Sequence, residues 1–249
     1  MSTLILLSND DGINSEGINV ATEALKLLGT VYVVAPDRDQ SAVSHSLSLY
    51  RPLRIHEAGK NIYSIDGTPT DCINLAVNGI LKNKKINLVV SGINKGENLG
   101  DDITYSGTVS AAMEGTLLGI PSISISSVGK NNFDFITASL YLQKIAKQVL
   151  LNRLPKGTFL NVNVPSLSKS KPKGIKITIQ GKRIYGDPIV EKVDPRGRKY
   201  YWIGGFELGY EKIDNSDIVV VKEGFVSITP IRLDLTDYNS IDKIKNYFE

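Results

Sequence analysis

Asp10 and Asp11 stand side by side directly after an apolar run, Leu4-Ile5-Leu6-Leu7, that leads through Ser8-Asn9. Two ionised carboxylates at about 5 Å, in an effective dielectric near 20, repel by on the order of 3 kcal/mol. A cation beside them, or a proton on one of them, relieves that repulsion. Further oxygen donors recur in the same kind of position: Ser41 follows Val31-Tyr32-Val33-Val34-Ala35, and Asn94 follows the run from Ile86 to Val90. Carboxylate, hydroxyl and amide oxygens, with no Cys or His cluster, suit one hard divalent cation such as Mg²⁺, Mn²⁺ or Ca²⁺. Such an ion is held by few protein ligands, with positions left for water. Tyr105-Ser106-Gly107-Thr108 supplies the complement, because small hydroxyl-bearing residues opening a helix leave backbone N–H groups accessible to an anion. A cation shell beside an anion-binding helix start points to phosphoester hydrolysis.

Taken singly, each cluster has a plainer reading. Paired Asp residues can cap a helix, Ser41 can hydrogen-bond within its loop, and Asn94 can occupy a left-handed turn. His45 and His56 are lone histidines, and Cys72 falls on the apolar side of a helix. The joint arrangement carries the argument. The donors arise at the carboxyl ends of three successive predicted parallel strands, which an open α/β sheet brings to one edge.

The elements that must position these groups follow from periodicity. Short apolar runs read as buried parallel strands. Between them lie helices predicted from Ser15 to Gly29 (Ile18, Ala21, Leu25, Leu28), from Thr68 (Ile73, Val77, Ile80, Leu81) and from Ser106 (Val109, Met113, Leu117). A fourth runs from Phe133 to Leu151 with Ile136, Leu140 and Val149 inward. Thr68-Pro69-Thr70-Asp71 is a strong helix start, with a capping hydroxyl, a proline at the first position and an acid at the dipole's positive end. The expected fold is therefore α/β, a Rossmann-like, mostly parallel sheet flanked by helices, with a C-terminal extended hairpin or arm. Residues 1–165 form the expected catalytic core. Residues 166–249, rich in Lys, Arg, Gly and Pro at first, are expected to hold an arm, a hairpin and closing elements, with weak regularity returning at Ile218–Val221, Val226–Pro230 and Ile241–Phe248.

Composition narrows the class. Of 249 residues, 41% are hydrophobic and 22% charged, which is ordinary for a soluble globular protein. A net charge of +3 is too small to argue for nucleic-acid binding. One cysteine excludes an internal disulfide and a thiolate zinc site. No apolar run reaches a bilayer-spanning length and no basic leader precedes one, so a cytoplasmic protein without membrane partners is expected.

The strings Ser8-Asn9-Asp10-Asp11-Gly12, Ala35-Pro36-Asp37-Arg38 with Ser41, Gly67-Thr68-Pro69-Thr70-Asp71-Cys72, Ser91-Gly92-Ile93-Asn94, Asn98-Leu99-Gly100 and Tyr105-Ser106-Gly107-Thr108-Val109 resemble the successive signatures of the stationary-phase survival protein family, the SurE-type nucleotidases. The likeness continues through Leu160–Pro165 and Val226–Pro230. It implies metal ligands at Asp10, Asp11, Ser41 and Asn94, and phosphate contacts from Asn98, Ser106, Gly107 and Thr108. It implies hydrolysis of nucleoside 5′- and 3′-monophosphates, with short polyphosphate as a further substrate, and a homodimer or homotetramer assembled through the C-terminal arm. Asp39-Gln40 departs from a segment that is often Asn or Glu followed by Arg.

The expected mechanism is attack of water on phosphorus in line, with a cation held by Asp10 and Asp11 orienting the phosphate and acidifying the water. Either aspartate could accept the water's proton. A phospho-aspartate intermediate is disfavoured, because a carboxylate committed to a metal is a poor nucleophile. His45 is the candidate proton donor to the leaving oxygen. Two non-catalytic alternatives exist. A phospho-receiver domain would need an acceptor Asp after the third strand, where this chain has Ser91–Asn94. A Rossmann nucleotide-binding module would want a G-x-G-x-x-G turn, where this chain has only Gly12 and Gly17.

Overall fold

The computed structural model describes residues 3–167, 170–186, 189–204 and 207–248. The chain opens with β1 (Leu4–Ser8), buried at every position. Ser15 then caps α1 (Glu16–Lys26) through its side chain, and the helix buries Ile18, Ala21 and Leu25 as the periodicity predicts. Next come β2 (Thr30–Pro36), β3 (Ile55–Gly59) and β4 (Ile62–Ile65). Thr68 and Asp71 form a reciprocal capping box on α2 (Pro69–Leu75), which a π-helical turn, Ala76–Ile80, continues. The predicted stripe is thus split between two helix types: Ile73 and Leu81 are fully buried, while Val77 and Ile80 are only partly so.

β5 (Leu88–Lys95) is longer than the run Ile86 to Val90 suggests. Its polar end pairs with β6 (Ser122–Val128) across a register shift between Ser91 and Asn94. An irregularity of this kind re-aims side chains at a sheet edge. Between them lie a 3₁₀ turn, Gly100–Thr104, and α3 (Gly107–Leu117), capped by Ser106. α4 (Phe135–Asn152) and β7 (Thr158–Pro165) follow. In α4 the predicted inward residues Ile136 and Leu140 are in fact 64% and 59% exposed. Asp134 caps the helix so that Phe135 is buried, and the inward stripe becomes Ala138, Leu142, Ile145 and Val149. Both stripes have helical spacing, and packing on the sheet buries the second.

The remaining elements are β8 (Ile175–Ile177), β9 (Arg183–Tyr185), β10 (Ile189–Val193), β11 (Lys199–Ile203), β12 (Glu207–Tyr210), α5 (Asp217–Lys222), β13 (Val226–Arg232) and α6 (Ile241–Lys245). One nine-stranded sheet has the order β3-β4-β2-β1-β5-β6-β7-β13-β8. The six strands from β4 to β7 are parallel. β13 is antiparallel to β7, and β8 runs parallel to β13. The chain therefore leaves the sheet after residue 165 but returns to it, so residues 166–249 supply sheet strands as well as outlying ones. The outlying pairs are β10 with β11 and β9 with β12.

α1 and α4 cover one face of the sheet, over Ile5, Leu7, Val33, Leu88 and Val90. On the other face α2 and α3 lie against Leu4, Leu6, Val34 and Val89. Each such fully buried aliphatic side chain stabilises the fold by about 1.5–3 kcal/mol relative to exposure. The chain winds outward from β1 through β2 to β4 on one side and from β5 to β7 on the other. The crevice between the carboxyl ends of β1 and β5 is thus the switch point of the topology, where open α/β sheets hold ligands. Among the described residues, no helix is long and apolar enough to cross a membrane.

Candidate metal and phosphate site

The turn after β1 is built by its own side chains. Asn9 donates to the Gly12 carbonyl at 2.9 Å and to Ser15 Oγ at 2.7 Å, tying the turn to the cap of α1. Asp10 and Asp11 are thereby fixed at the switch point. Asp10 is 5% exposed, and Thr108 Oγ1 donates to its Oδ1. Gly107 is the reason α3 can come so close. A Cβ there would stand 2.8 Å from the Asp10 Cβ and 3.0 Å from its Oδ2. Burial raises the Asp10 carboxyl to about pH 6; the Thr108 hydrogen bond opposes the shift and the neighbouring Asp11 charge adds to it. Asp11, half-buried, accepts from the Lys95 backbone N–H at 3.1 Å. Its carboxyl is also raised, first by burial, with Asp39 adding repulsion.

Asn94 arrives from β5, beside β1. It donates its side-chain N–H to the Gly96 carbonyl at 3.0 Å, so its oxygen is the half left to act as a ligand. The Gln40 N–H donates to the Asp10 carbonyl at 2.8 Å, bringing the loop after β2 to the same place. Ser41 follows on the exposed rim of that loop, its N–H bonded to Asp39 Oδ1 at 2.8 Å. The four predicted ligands thus come from the loops after β1 and β2 and from the end of β5, which meet at one sheet edge. All four are oxygen donors, and among the described residues no group of three or more His, Cys, Asp or Glu side chains is placed to hold a metal. Two carboxylates whose ionisation is opposed by burial and by like charge, completed by neutral oxygens, fit a hard divalent cation.

Ser106, Gly107 and Thr108 open α3 against Asp10. The Ser106 hydroxyl accepts from the Val109 N–H at 3.1 Å as the N-cap, which leaves its own proton to donate. The Thr108 hydroxyl donates to Asp10 and its backbone N–H also faces that carboxylate, so this residue positions Asp10. Asn98 is 5% exposed and rigidly held. Its backbone N–H donates to Asn163 Oδ1 at 2.9 Å, its carbonyl accepts from Asn161 and Asn163, and its side chain donates to Ser126 Oγ at 2.8 Å.

His45 pairs with a carboxylate on α3. Its Nε2 lies 3.0 Å from Glu114 Oε2, and Glu114 also accepts from Asn74 at 2.8 Å. Glu114 stands two turns, about 10 Å, along α3 from Gly107. The imidazole is therefore tethered to the flank of α3, while its neighbour Ser44 bonds the Thr104 and Tyr105 carbonyls just before the helix start. His56 sits on the exposed strand β3 and Cys72 is fully buried. Sequence reasoning gave no role to Asn9, Asp39, Asn161 and Asn163, which it met only within longer strings, and did not single out Ser126. The signal for the last two was present, because asparagines at alternate positions of a buried strand need partners.

The chain matches the family model described as Survival protein SurE over residues 5–187. It is 53% identical over 244 residues to a Geotalea daltonii protein named 5′-nucleotidase SurE, with 98% of each chain covered. To the Aquifex aeolicus protein of the same name it is 50% identical over 241 residues, with 96% of each covered. A crystal structure of the SurE protein from Aquifex aeolicus matches with a TM-score of 0.89 and 48% identity, covering 99% of this chain and 100% of that one. Family model, full-length relatives and fold agree, and the chain belongs to the survival protein SurE family.

Proposed function

We propose that this chain is a metal-dependent nucleotidase that hydrolyses nucleoside 5′-monophosphates to nucleoside and phosphate, with 3′-monophosphates and short polyphosphate as further substrates. The observation that carries the reading is the packing of Gly107 and Thr108 directly onto Asp10, which puts an anion-binding helix start and a cation-demanding carboxylate pair in contact. Relatives at about half identity over nearly the whole chain are named as 5′-nucleotidases, which supports the reading and does not favour a receiver or a non-catalytic nucleotide-binding module.

In this reading Asp10, Asp11, Asn94 and Ser41 hold one divalent cation, which when bound neutralises phosphoryl charge and activates water. The backbone N–H groups opening α3, the Ser106 hydroxyl and Asn98 hold the phosphoryl oxygens. Gly107 lets the start of α3 pack onto Asp10, and the clamped Asn98 needs little reorganisation when charge develops. Thr108 holds one oxygen of Asp10 in place, and Asp10 or Asp11 accepts the proton from water. The outlying β10–β11 hairpin leaves Ile189, Tyr201, Trp202 and Ile203 exposed. A lone two-stranded hairpin is marginal in water, which supports assembly of a homodimer or homotetramer through it.

The test is phosphate release from a panel of nucleoside 5′- and 3′-monophosphates and tripolyphosphate, with phosphodiesters as the control. Release from monoesters and not from diesters supports the proposal. Binding without turnover of any monoester, under metal-replete conditions, would count against it.

A further inference from the structure

We infer that Arg183, on the outlying strand β9, is a positioning residue for the phosphate-binding loop, so that the seating of the C-terminal arm sets the affinity of the site for phosphate. The inference rests on the reading of Asn98 as a phosphate contact. The segment Glu97–Asp102 flanks Asn98 on one side of α3's start, and its outer part is held by residues far along the chain. Arg183 is 7% exposed, and it bonds three acids of this segment. Its Nη2 pairs with Glu97, its Nε donates to Asp102 Oδ2 at 2.5 Å, and its backbone N–H donates to Asp101 Oδ2 at 3.3 Å. Tyr185, next but one on the same strand, donates its hydroxyl to the other Asp102 oxygen.

The same segment is held from below. Asp217 accepts from the Gly100 N–H at 3.0 Å and from the Gly181 N–H at 2.8 Å, while Gln180 donates to the Gly100 carbonyl at 3.2 Å. Residues 180–185 and 217 thus fasten Glu97, Gly100, Asp101 and Asp102, the residues on either side of Asn98-Leu99. The core grips Asn98 itself through Asn161, Asn163 and Ser126. A guanidinium fork satisfies two carboxylates in fixed directions, which an ammonium cannot do. Movement of β9 therefore carries the two acids, and with them the loop between, relative to α3. Of the proposed metal ligands, Asp10 is bonded to α3 and the loop after β2 and Asp11 to the Lys95 backbone, while Asn94 is bonded to Gly96, next to Glu97.

Isothermal calorimetry separates the two ends of the site. Binding of Mn²⁺ alone, and of inorganic phosphate in the presence of Mn²⁺, would be measured for the parent, Arg183→Met, Arg183→Lys and Tyr185→Phe. Arg183→Met is expected to weaken phosphate by about 10-fold or more and to raise KM for nucleoside monophosphates in parallel. Arg183→Lys is expected to follow Arg183→Met rather than the parent. Mn²⁺ affinity should fall by a smaller factor than phosphate affinity, because Asp10 and Asp11 make no bond to Arg183. Tyr185→Phe removes only one exposed hydroxyl and keeps the test alive if the Arg183 variants misfold; it should weaken phosphate about threefold. Unchanged phosphate affinity in a folded Arg183 variant, or in Tyr185→Phe, would overturn the inference, as would equal losses of Mn²⁺ and phosphate. A parent that binds Mn²⁺ but no phosphate would instead sink the functional reading on which it rests.

Discussion

Asp10 serves binding at the expense of the unliganded fold. Its carboxylate is buried and set beside Asp11, and the Thr108 hydroxyl with nearby backbone N–H groups only partly offsets the desolvation. Asp10→Asn keeps an oxygen for Thr108 while removing the buried charge. The metal-free variant should melt no lower than the metal-free parent by calorimetry, while kcat/KM falls roughly 10²-fold or more. A lower Tm alongside retained activity would show that Asp10 is a structural group. Gly107→Ala tests the contact from the other partner. The added methyl must displace Asp10, and a shift of about 1 Å in a reacting group can reduce turnover about 10²-fold. Activity within a few-fold of the parent would mean that Asp10 tolerates relocation.

At the scale of elements, the site depends on how loops are fastened to strands. Asn163 holds both the N–H and the carbonyl of Asn98, so Asn163→Leu leaves two buried backbone groups without that partner. The expected loss is about 1–3 kcal/mol of stability, read from denaturant midpoints, with KM for nucleotides raised. The Glu114–His45 contact fastens the loop after β2 to α3. Its hydrogen bond to His45 holds the Glu114 carboxyl below its usual 4.5. A depressed folded pKa contributes stability above the unfolded value and loses it as pH falls through the folded one. The Tm difference between parent and His45→Ala should therefore be largest above pH 4.5 and shrink below it; a difference independent of pH would show that the contact is steric. The caps at Ser15, Thr68 and Ser106 were readable from the chain, because a cap is a local hydrogen bond encoded within four residues. The phase of α4 was not readable, since Ile136/Leu140 and Ala138/Leu142 have equal claim by spacing. The clamp on Asn98 was also hidden, because its partners come from 28 to 65 residues away and only the sheet register joins them.

For the molecule as a whole, the order of strands explains why the donor residues could be recognised before the fold was known. Parallel strands on either side of a switch point bring their carboxyl ends together, so polar residues at the ends of separate apolar runs become neighbours. β13 coincides with the regularity expected at Val226–Pro230, whereas β8 escaped prediction, since the polar stretch between residues 166 and 200 masks a three-residue strand. Assembly through the arm has its own readout, because the chain's one tryptophan, Trp202, is 63% exposed on β11. Its emission should shift to the red on dilution as copies separate; an invariant, fully solvated spectrum at every concentration would place the arm outside the assembly. The central claim, a divalent cation held at Asp10 and Asp11 and required for phosphoester hydrolysis, is tested most directly by phosphate release from a nucleoside 5′-monophosphate before chelation, after chelation and after Mn²⁺ is restored, in parent and Asp10→Asn. The account predicts activity that is lost on chelation and regained with metal in the parent, and absent throughout in the variant. Activity that survives chelation, or an Asp10→Asn protein that turns over like the parent, would contradict it.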